Sequence, residues 1–431
     1  MNDWRPSYQS RCMSAQQAVQ HVKSGDRVVI GHACGEPPTL VEALVERAPE
    51  LENVEIVHMV AMGSAKYAQP GMEKSFRHNA LFVGATTRKA VAEKRGDFTP
   101  CFFSEVPRLF RNGLLSVDVV LMQVTPPDEH GFCSFGVSDD YTKAAAESAK
   151  LVIAQVNRFL PWTGGDRIHV SEIDCFVEKD EAIVELQPPP IHDVEKAIGK
   201  NVASLVENGA TLQLGIGAIP DAVLLFLKDK EDLGLHSEMF SDGVVELAEA
   251  GVMTNRKKTL HPGKFVATFL MGTRKLYDFV DNNPDVEMYG VDYVNDPYII
   301  GQIDNMVSIN SALQVDLMGQ VNAEMIGTKQ FSGVGGQVDF TRGASRSRNG
   351  KAIIAMPSTA SHGKISRIVC QLDTGAAVTT SRNDVQYIVT EYGIADLRGK
   401  CLRERAKALI AVSHPDFRST LLAQATEQGL I

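Results

Sequence analysis

A glutamate within a short run of small and apolar residues is the strongest candidate for chemistry in this sequence. Glu238 lies in residues 236–243 (HSEMFSDG), where Asp242-Gly243 is typical of a turn. An isolated glutamate is usually solvated, but these flanks predict a half-buried carboxylate that needs polar neighbours to stay ionised. Such a carboxylate could attack a thioester carbonyl, and the expelled thiolate could return to form a glutamyl thioester. This chemistry needs donors for each developing oxyanion, but no metal or redox cofactor.

A glycine turn precedes Glu238 by about one helix length. The pattern predicts a strand at residues 211–214 and a helix at 221–228, joined by Gly215-Ile216-Gly217-Ala218-Ile219-Pro220. Glycines here allow a ligand to approach the backbone, and a proline suits the first helical turn. The third glycine of a dinucleotide-binding turn is absent, and Asp221 places negative charge near the helix start. A pantetheine arm therefore fits better than a pyrophosphate, with an ordinary strand-to-helix turn as the alternative.

A second glycine cluster, residues 331–340 (FSGVGGQVDF), is a candidate source of backbone donors. The amides of Gly335 and Gly336 could line an oxyanion pocket or contact a thioester arm; a flexible surface loop is the alternative. The residues that follow form a local basic patch that could meet the phosphates of a nucleotide, although charge runs usually face water. Its members are Arg342, Arg346, Arg348 and Lys351.

Other polar groups point to no separate chemistry. Residues 127–133 (PDEHGFC) lack metal-ligand spacing and predict a turn between two strands, so no metal site is expected. Ser358, His362 and Asp373 lack the context of a hydrolytic triad. The seven cysteines are scattered without a CxxC pair, which favours reduced thiols in the cytoplasm.

Short apolar runs alternate with helical patterns along the chain. Strands are predicted near residues 27–31, 118–124 and 150–156, and a helix at 39–47. Near-continuous apolar strands that alternate with helices indicate parallel sheets covered on both faces. The expected fold is α/β, with two similar open, mostly parallel sheet domains that carry helices on both faces.

The best domain linker is the proline run at residues 187–190 (QPPP), because three prolines do not fit inside a helix or a central strand. It predicts an N-terminal domain at 1–187 and a C-terminal domain at 191–431 that carries Glu238 and opens with a helix at 193–207. Residues 24–31 and 208–215 share two glycines at the same offset, Gly25 with Gly209 and Gly31 with Gly215. This favours an internal duplication over a chance likeness of two strand–helix units.

The composition excludes several classes of protein. A chain of 431 residues, 44% of them hydrophobic, is too long for one ordinary core and favours two domains. Its net charge of −10 disfavours binding to nucleic acid or to a membrane surface. No apolar run is long enough to span a membrane, and residues 1–6 do not resemble a signal peptide.

Taken together, these motifs resemble the acetyl-CoA hydrolase/transferase family of class I CoA-transferases, particularly its 4-hydroxybutyrate and butyryl-CoA:acetate members. The resemblance covers essentially the whole chain. It rests on residues 164–166, 168–174, 215–220, 236–243, 309–316, 333–340 and 390–399.

The resemblance implies that Glu238 forms the glutamyl-CoA thioester, that Gly215 through Ile219 contact CoA, and that Leu313 and Gly336 occupy CoA-contact positions. It implies CoA as a substrate rather than a tightly bound cofactor, and a homo-oligomer. The expected activity is ping-pong transfer of CoA between short-chain acyl-CoA and a free acid, 4-hydroxybutyrate or butyrate with acetate. An acyl-CoA hydrolase using the same glutamate, or a non-catalytic CoA-binding protein, is the alternative.

Overall fold

The computed structural model describes residues 3–431 and contains many short strands separated by helices. In chain order the strands are β1 Arg27–Ile30, β2 Val54–His58, β3 Phe76–Ala80, β4 Gly96–Phe98, β5 Val117–Val124, β6 Phe132–Ser134, β7 Ala149–Val156, β8 Gly164–Gly165, β9 Arg167–His169, β10 Cys175–Glu178, β11 Thr211–Leu214, β12 Gly234–Phe240, β13 Phe265–Leu270, β14 Val286–Met288, β15 Met306–Asn310, β16 Gln314–Asp316, β17 Val321–Asn322, β18 Met325–Ile326, β19 Lys329–Gln330, β20 Lys351–Ala355, β21 Thr359–Ala360, β22 Ile365–Ser366, β23 Ile368–Val369, β24 Tyr387–Thr390 and β25 Gly393–Asp396.

The helices lie mostly between the strands of the larger sheets. In chain order they are α1 Arg5–Ser10, α2 Ala15–Val19, α3 Pro38–Glu46, α4 Arg88–Ala92, α5 Val106–Arg111, α6 Thr142–Ser148, α7 Asp193–Ala203, α8 Ala218–Leu225, α9 Asp242–Glu249, α10 Arg274–Val280, α11 Val291–Val294, α12 Pro297–Ile300, α13 Gln337–Arg346, α14 Leu402–Ala411 and α15 Pro415–Glu427. The predicted helix at 193–207 thus ends earlier, at Ala203. Asp242 begins α9 instead of a turn, since an acidic side chain is favourable in the first turn of a helix.

The chain forms two compact units. Unit 1 contains the described residues up to Leu186 together with Val266–Val294, and unit 2 contains Gln187–Phe265 and Asn295–Ile431. The first change of unit falls at the proline run, but the contiguous division at 1–187 and 191–431 does not anticipate that Val266–Val294 joins unit 1. Backbone hydrogen bonds explain it: the amide of Leu270 donates to Val137, and that of Val291 donates to Asp140.

Unit 1 is built on a fully parallel seven-stranded sheet in the order β10-β7-β5-β1-β2-β3-β4. The strands β13, β14 and β8 also belong to this unit and lie side by side, and β6 pairs with β9. The core of the unit packs α2 and α3 against the sheet through residues such as Val19, Leu40 and Ile56.

Unit 2 is built on six strands in the order β25-β24-β20-β15-β11-β12, parallel except for β25. Strand β11 is buried throughout, and β15 and β20 are buried except for one terminal residue each. Burial on both faces requires layers on each side of the sheet, as the sequence predicted. A second core cluster, which includes Ile354, Ile388 and Leu409, packs α14 and α15 against it.

The two units repeat one local geometry. Gly25 and Gly209 both have positive φ, 85° and 75°. The amide of each donates to a glutamate carbonyl just before the next strand, Glu52 at 3.0 Å and Glu231 at 2.9 Å. In both sheets the chain adds the next strand on one side of the central strand, β1 or β11, and later adds strands on its other side. This is the geometry that the predicted internal duplication requires.

Candidate functional site

The order of strands in unit 2 places a crevice beside the glycine turn. From β11 the chain moves to β12, and then returns to the opposite side of β11 through β15, β20 and β24. In open parallel sheets such a reversal leaves a crevice outside the carboxyl ends of the two strands that flank it, and ligands bind there. The flanking strands are β11 and β15. Gly215 through Ile219 follow the first, and Leu313 follows the second.

Glu238 is the fifth residue of β12, the strand on the other side of β11. Its neighbours in the strand are buried, whereas Glu238 itself is partly exposed. The hydroxyl of Ser237 donates to the carbonyl of Leu214 at 3.2 Å and accepts from its amide at 3.3 Å. These side-chain bonds attach the carboxyl half of β12 to the end of β11, so the glutamate has a fixed place beside the glycine turn.

The carboxylate of Glu238 has a buried amide partner that sequence reasoning missed. Asn295 is fully buried, and its Nδ2 donates to Oε2 of Glu238 at 2.7 Å. Asn295 lies 57 residues after the glutamate and belongs to no motif that the sequence revealed. A hydrogen bond from a neutral amide favours the ionised carboxylate, and an amide so placed can also donate to an oxygen that replaces it during acyl transfer.

The second glycine cluster meets Glu238 directly. Gly336 caps the start of α13, and a Cβ atom on it would overlap Oε2 of Glu238 and Nδ2 of Asn295. Gly335 has a φ of 55°, the left-handed region that favours glycine. The first amides of a helix lack partners within the helix, and the start of α13, with the positive end of its dipole, lies close to the Glu238 carboxylate. Residues 331–336 are all buried or partly buried, which disfavours the alternative of a surface loop.

The glycine turn leaves open space around its backbone. Gly217 has a φ of 111° and caps α8; a Cβ on it would meet no atom within 4 Å, and one on Gly215 would meet only Pro220, at 4.0 Å. The side chain of Ile216 is 47% exposed. Burial, with the nearby Asp242 and Glu246, raises the pKa of Asp221 in α8 to about 6. An acidic group at this position disfavours a phosphate on the helix start, consistent with the predicted pantetheine arm.

The sequence-predicted basic patch is largely neutralised by carboxylates. Arg342 pairs with Asp384 at 3.4 Å, and Arg348 pairs with Asp304. Lys351 pairs with Glu207 at 2.7 Å and also donates to the carbonyl of Leu205. These three cations pair with carboxylates of the same unit, which favours the alternative of a solvated, structural patch.

A second carboxylate lies where β20 and β24 end. Both oxygens of Glu391 accept hydrogen bonds from Ser358, one from its amide at 2.8 Å and one from its hydroxyl at 2.6 Å. The guanidinium of Arg367 donates to the carbonyl of Ala312 at 3.2 Å, and burial lowers its pKa despite the nearby Glu391. This polar cluster, Ser358–Arg367–Glu391, belongs to the carboxyl edge of the same sheet.

The remaining polar motifs have local hydrogen-bond partners. The carboxylate of Asp128 accepts from the amides of His130 and Phe132, which makes residues 127–133 a turn. The hydroxyl of Ser358 is directed to Glu391, and Asp373 accepts from Gln314, so no hydrolytic triad assembles among the described residues. Within residues 3–431, no cluster of three or more potential metal ligands is present. No helix in that range combines the length and apolar character needed to cross a membrane.

Comparisons with known proteins agree over most of the chain. Family models described as the acetyl-CoA hydrolase/transferase N-terminal and C-terminal domains match residues 1–188 and 272–425. A 4-hydroxybutyrate coenzyme A transferase of Clostridium kluyveri is 64% identical over 421 residues, 97% of this chain and 98% of that protein.

Two solved structures are similar throughout. A crystal structure of 4-hydroxybutyrate CoA-transferase from Porphyromonas gingivalis is 46% identical and has a TM-score of 0.86, covering 99% of this chain and 100% of that one. RipA from Yersinia pestis is 37% identical and has a TM-score of 0.95, with both chains fully covered.

Proposed function

The chain belongs to the acetyl-CoA hydrolase/transferase family and is a CoA-transferase, and we propose that it moves CoA between a short-chain acyl-CoA and free 4-hydroxybutyrate through a covalent thioester on Glu238. The contact of the Glu238 carboxylate with Asn295 and Gly336 carries this proposal. Butyrate and acetate are the other acids we expect, since relatives named for 4-hydroxybutyrate and for butyryl-CoA:acetate are 64% and 40% identical.

In the first half of the reaction, Glu238 attacks the thioester carbonyl. The new bond joins a glutamate oxygen to the acyl carbon, the carbon–sulfur bond breaks, and CoA thiolate leaves behind a mixed anhydride. The thiolate then attacks the glutamyl carbonyl and expels the acyl group as a free carboxylate. The second acid runs the same steps in reverse, so no water is consumed and no electrons are transferred.

The residues around Glu238 have separate tasks in this proposal. The Asn295 amide holds the carboxylate before attack and then donates to the oxyanion that forms on the glutamyl carbon. The amides of Gly335 and Gly336 face the developing charge, with the α13 dipole behind them. Gly215 through Ile219 and Leu313, beside the crevice, contact the pantetheine arm. CoA is thus a substrate, and no tightly bound cofactor takes part.

Trapping the intermediate tests the mechanism. Protein incubated with acyl-CoA and then treated with borohydride should gain a reduced adduct at Glu238, detected by peptide mass spectrometry. Glu238→Gln should give neither adduct nor turnover. Glu231→Gln, an exposed glutamate of the same unit, is the matched control and should behave as wild type. Full transferase activity in Glu238→Gln would reject the covalent role.

Dependence on an acceptor acid separates transfer from hydrolysis. We expect release of CoA from butyryl-CoA to require 4-hydroxybutyrate, butyrate or acetate, with parallel double-reciprocal lines for the ping-pong sequence. CoA release that is equally fast without any acid would instead assign an acyl-CoA hydrolase. A binding-only protein would show neither release nor adduct.

The proposal includes a cytoplasmic homo-oligomer. The seven cysteines are scattered along the sequence without a CxxC pair, and this pattern supports a reducing compartment. Sedimentation of the purified protein measures the oligomeric state directly, and a monomer at all concentrations would remove that part of the proposal.

A further inference from the structure

The segment that meets Glu238 is anchored at its beginning by a buried glutamate. We call residues 331–336 the glycine loop. The amides of Phe331 and Ser332 both donate to the carbonyl of Glu324, at 2.8 and 3.1 Å. The Ser332 hydroxyl donates to the carbonyl of Ala323 at 3.1 Å, and the backbone carbonyl of Ser332 accepts from the side-chain Nε2 of Gln330 at 3.1 Å. The start of the loop is therefore tied to residues 323–330.

The side chain of Glu324 connects this anchor to a distant loop segment at residues 379–380. It is only 9% exposed. One carboxylate oxygen accepts from the Thr379 hydroxyl at 2.9 Å, and the other accepts from the side-chain Nε2 of Gln330 at 3.0 Å. The same Thr379 hydroxyl accepts from the amide of Ala323 at 3.0 Å. Burying a carboxylate whose hydrogen bonds come from uncharged groups costs free energy, so its presence here indicates a structural or functional role.

The end of the glycine loop is anchored to the next residue of that segment. Gln337, the first residue of α13, is 7% exposed, and its side-chain oxygen Oε1 accepts from the Thr380 hydroxyl at 2.9 Å. Its side-chain nitrogen Nε2 donates to the backbone carbonyl of Ser311 at 2.6 Å, in the loop that follows β15 beside the crevice. Thr380 itself forms two backbone hydrogen bonds with Val321, each 3.1 Å long.

Both ends of the glycine loop thus return to one dipeptide, Thr379-Thr380. The loop has little freedom to shift, because Gly336 already touches the Glu238 carboxylate and any side chain there would overlap it. Oxyanion donors act only when they lie within hydrogen-bonding distance of the atom that gains charge, and a misplacement of about 1 Å can lower the rate about 100-fold. The hydrogen bonds of the anchors hold the two ends of the loop, so we expect their effect on Glu238 to pass through the loop.

We propose that Glu324 and Gln337 are positioning residues, which with Thr379 and Thr380 hold the glycine loop so that its amides face the acyl oxygen at Glu238. The inference rests on the proposed function. It assigns to four side chains, none of them among the candidate site residues of the sequence analysis, the task of setting the rate of acyl transfer. CoA binding through the glycine turn after β11 depends on them little, because that turn lies outside this network.

Valine and serine substitutions of Thr379 and Thr380 test whether their hydroxyls position the glycine loop. Thr379→Val and Thr380→Val remove one hydroxyl with almost no change of shape, whereas Thr379→Ser and Thr380→Ser keep it. We expect each valine variant to lower kcat about 5- to 20-fold and to leave KM for acyl-CoA within about twofold. The serine variants should retain wild-type kcat. The rate of appearance of the trapped Glu238 adduct in a single turnover should fall in parallel with kcat.

Thr254→Val is the matched control. The Thr254 hydroxyl also donates to a carboxylate, Asp232 at 2.8 Å, but beside the amino end of β12. It should lose a comparable amount of stability, measured by denaturant unfolding, and keep full activity.

Three results would overturn the inference. Valine variants that unfold more easily but keep wild-type kcat would make these groups purely structural. A raised KM with unchanged kcat would make them CoA contacts. Should a valine variant not fold, the Gln337→Met and Glu324→Gln variants must show the same kcat loss, and wild-type rates in them also reject it. Absence of transfer and of adduct in the wild type would instead reject the proposed function.

Discussion

Replacing Gly336 by alanine isolates the contact between the glycine loop and the nucleophile. Gly336 has φ −92° and ψ 6°, a conformation that alanine also adopts, so the backbone is little strained. The added methyl carbon would overlap Oε2 of Glu238 and Nδ2 of Asn295. Carbon and oxygen atoms that are not bonded come no closer than about 3.3 Å, so the carboxylate or the loop must shift by an ångström or more.

The expected loss follows from that displacement. A shift of about 1 Å in a reacting group lowers the rate about 100-fold, and loss of one oxyanion donor lowers it about 100- to 1,000-fold. We therefore expect kcat of Gly336→Ala to fall at least about 100-fold, which is about 2.7 kcal/mol of transition-state stabilisation. KM for acyl-CoA should change much less, since the glycine turn after β11 is untouched.

Steady-state kinetics and borohydride trapping measure this loss, and denaturant unfolding shows whether the variant is intact. Glu238→Asp shortens the nucleophile by one methylene and makes room for the new methyl group. In a double-mutant cycle, Gly336→Ala should therefore be less harmful when combined with Glu238→Asp than in the wild type. A kcat for Gly336→Ala within twofold of wild type, in a normally folded protein, would refute the proposed contact of the loop with the reacting carboxylate.

Three further predictions concern other parts of the molecule. Asn295→Ala removes the 2.7 Å bond to Glu238 and should lower kcat about 10- to 100-fold, measured with the rate of adduct trapping; an unchanged trapping rate would contradict its role as a donor. Gly217→Ala places a Cβ at a φ of 111°, so the free energy of unfolding should drop by about 1–2 kcal/mol. KM for acyl-CoA should rise as well. A stable variant with normal KM would argue against the glycine turn as a CoA contact. Burial lowers the pKa of His78 to about 4 and that of His58 well below its ordinary value, so the folded protein binds fewer protons than the unfolded chain. The free energy of unfolding should consequently fall as pH drops from about 6.5 towards 4, by up to about 3 kcal/mol from His78 alone. Urea unfolding of His78→Gln should show a weaker dependence of this free energy on pH over the same range. An equally steep dependence in the variant would assign the loss to other groups.

Much of the fold could be predicted because it depends on local pattern. Apolar runs such as residues 118–124 can be satisfied only inside a covered sheet, and alternation with helices makes that sheet parallel. The turn at Gly217, which adopts positive φ, and the linker at the proline run 187–190 can likewise be predicted from residue type alone. The same local reasoning marked Glu238 and the two glycine clusters as candidates.

The sequence by itself therefore determined the fold class, the candidate nucleophile and the glycine segments around it. Only the tertiary structure decided which groups meet: Asn295 donates to Glu238 across 57 residues, and Gly336 reaches the same carboxylate. It also decided that Val266–Val294 joins unit 1 and that Asp384 and Asp304 neutralise much of the basic patch. The physical reason is common to all of these cases. Each depends on which strands become neighbours, and strand order is set by the packing of the whole sheet, which no local pattern encodes.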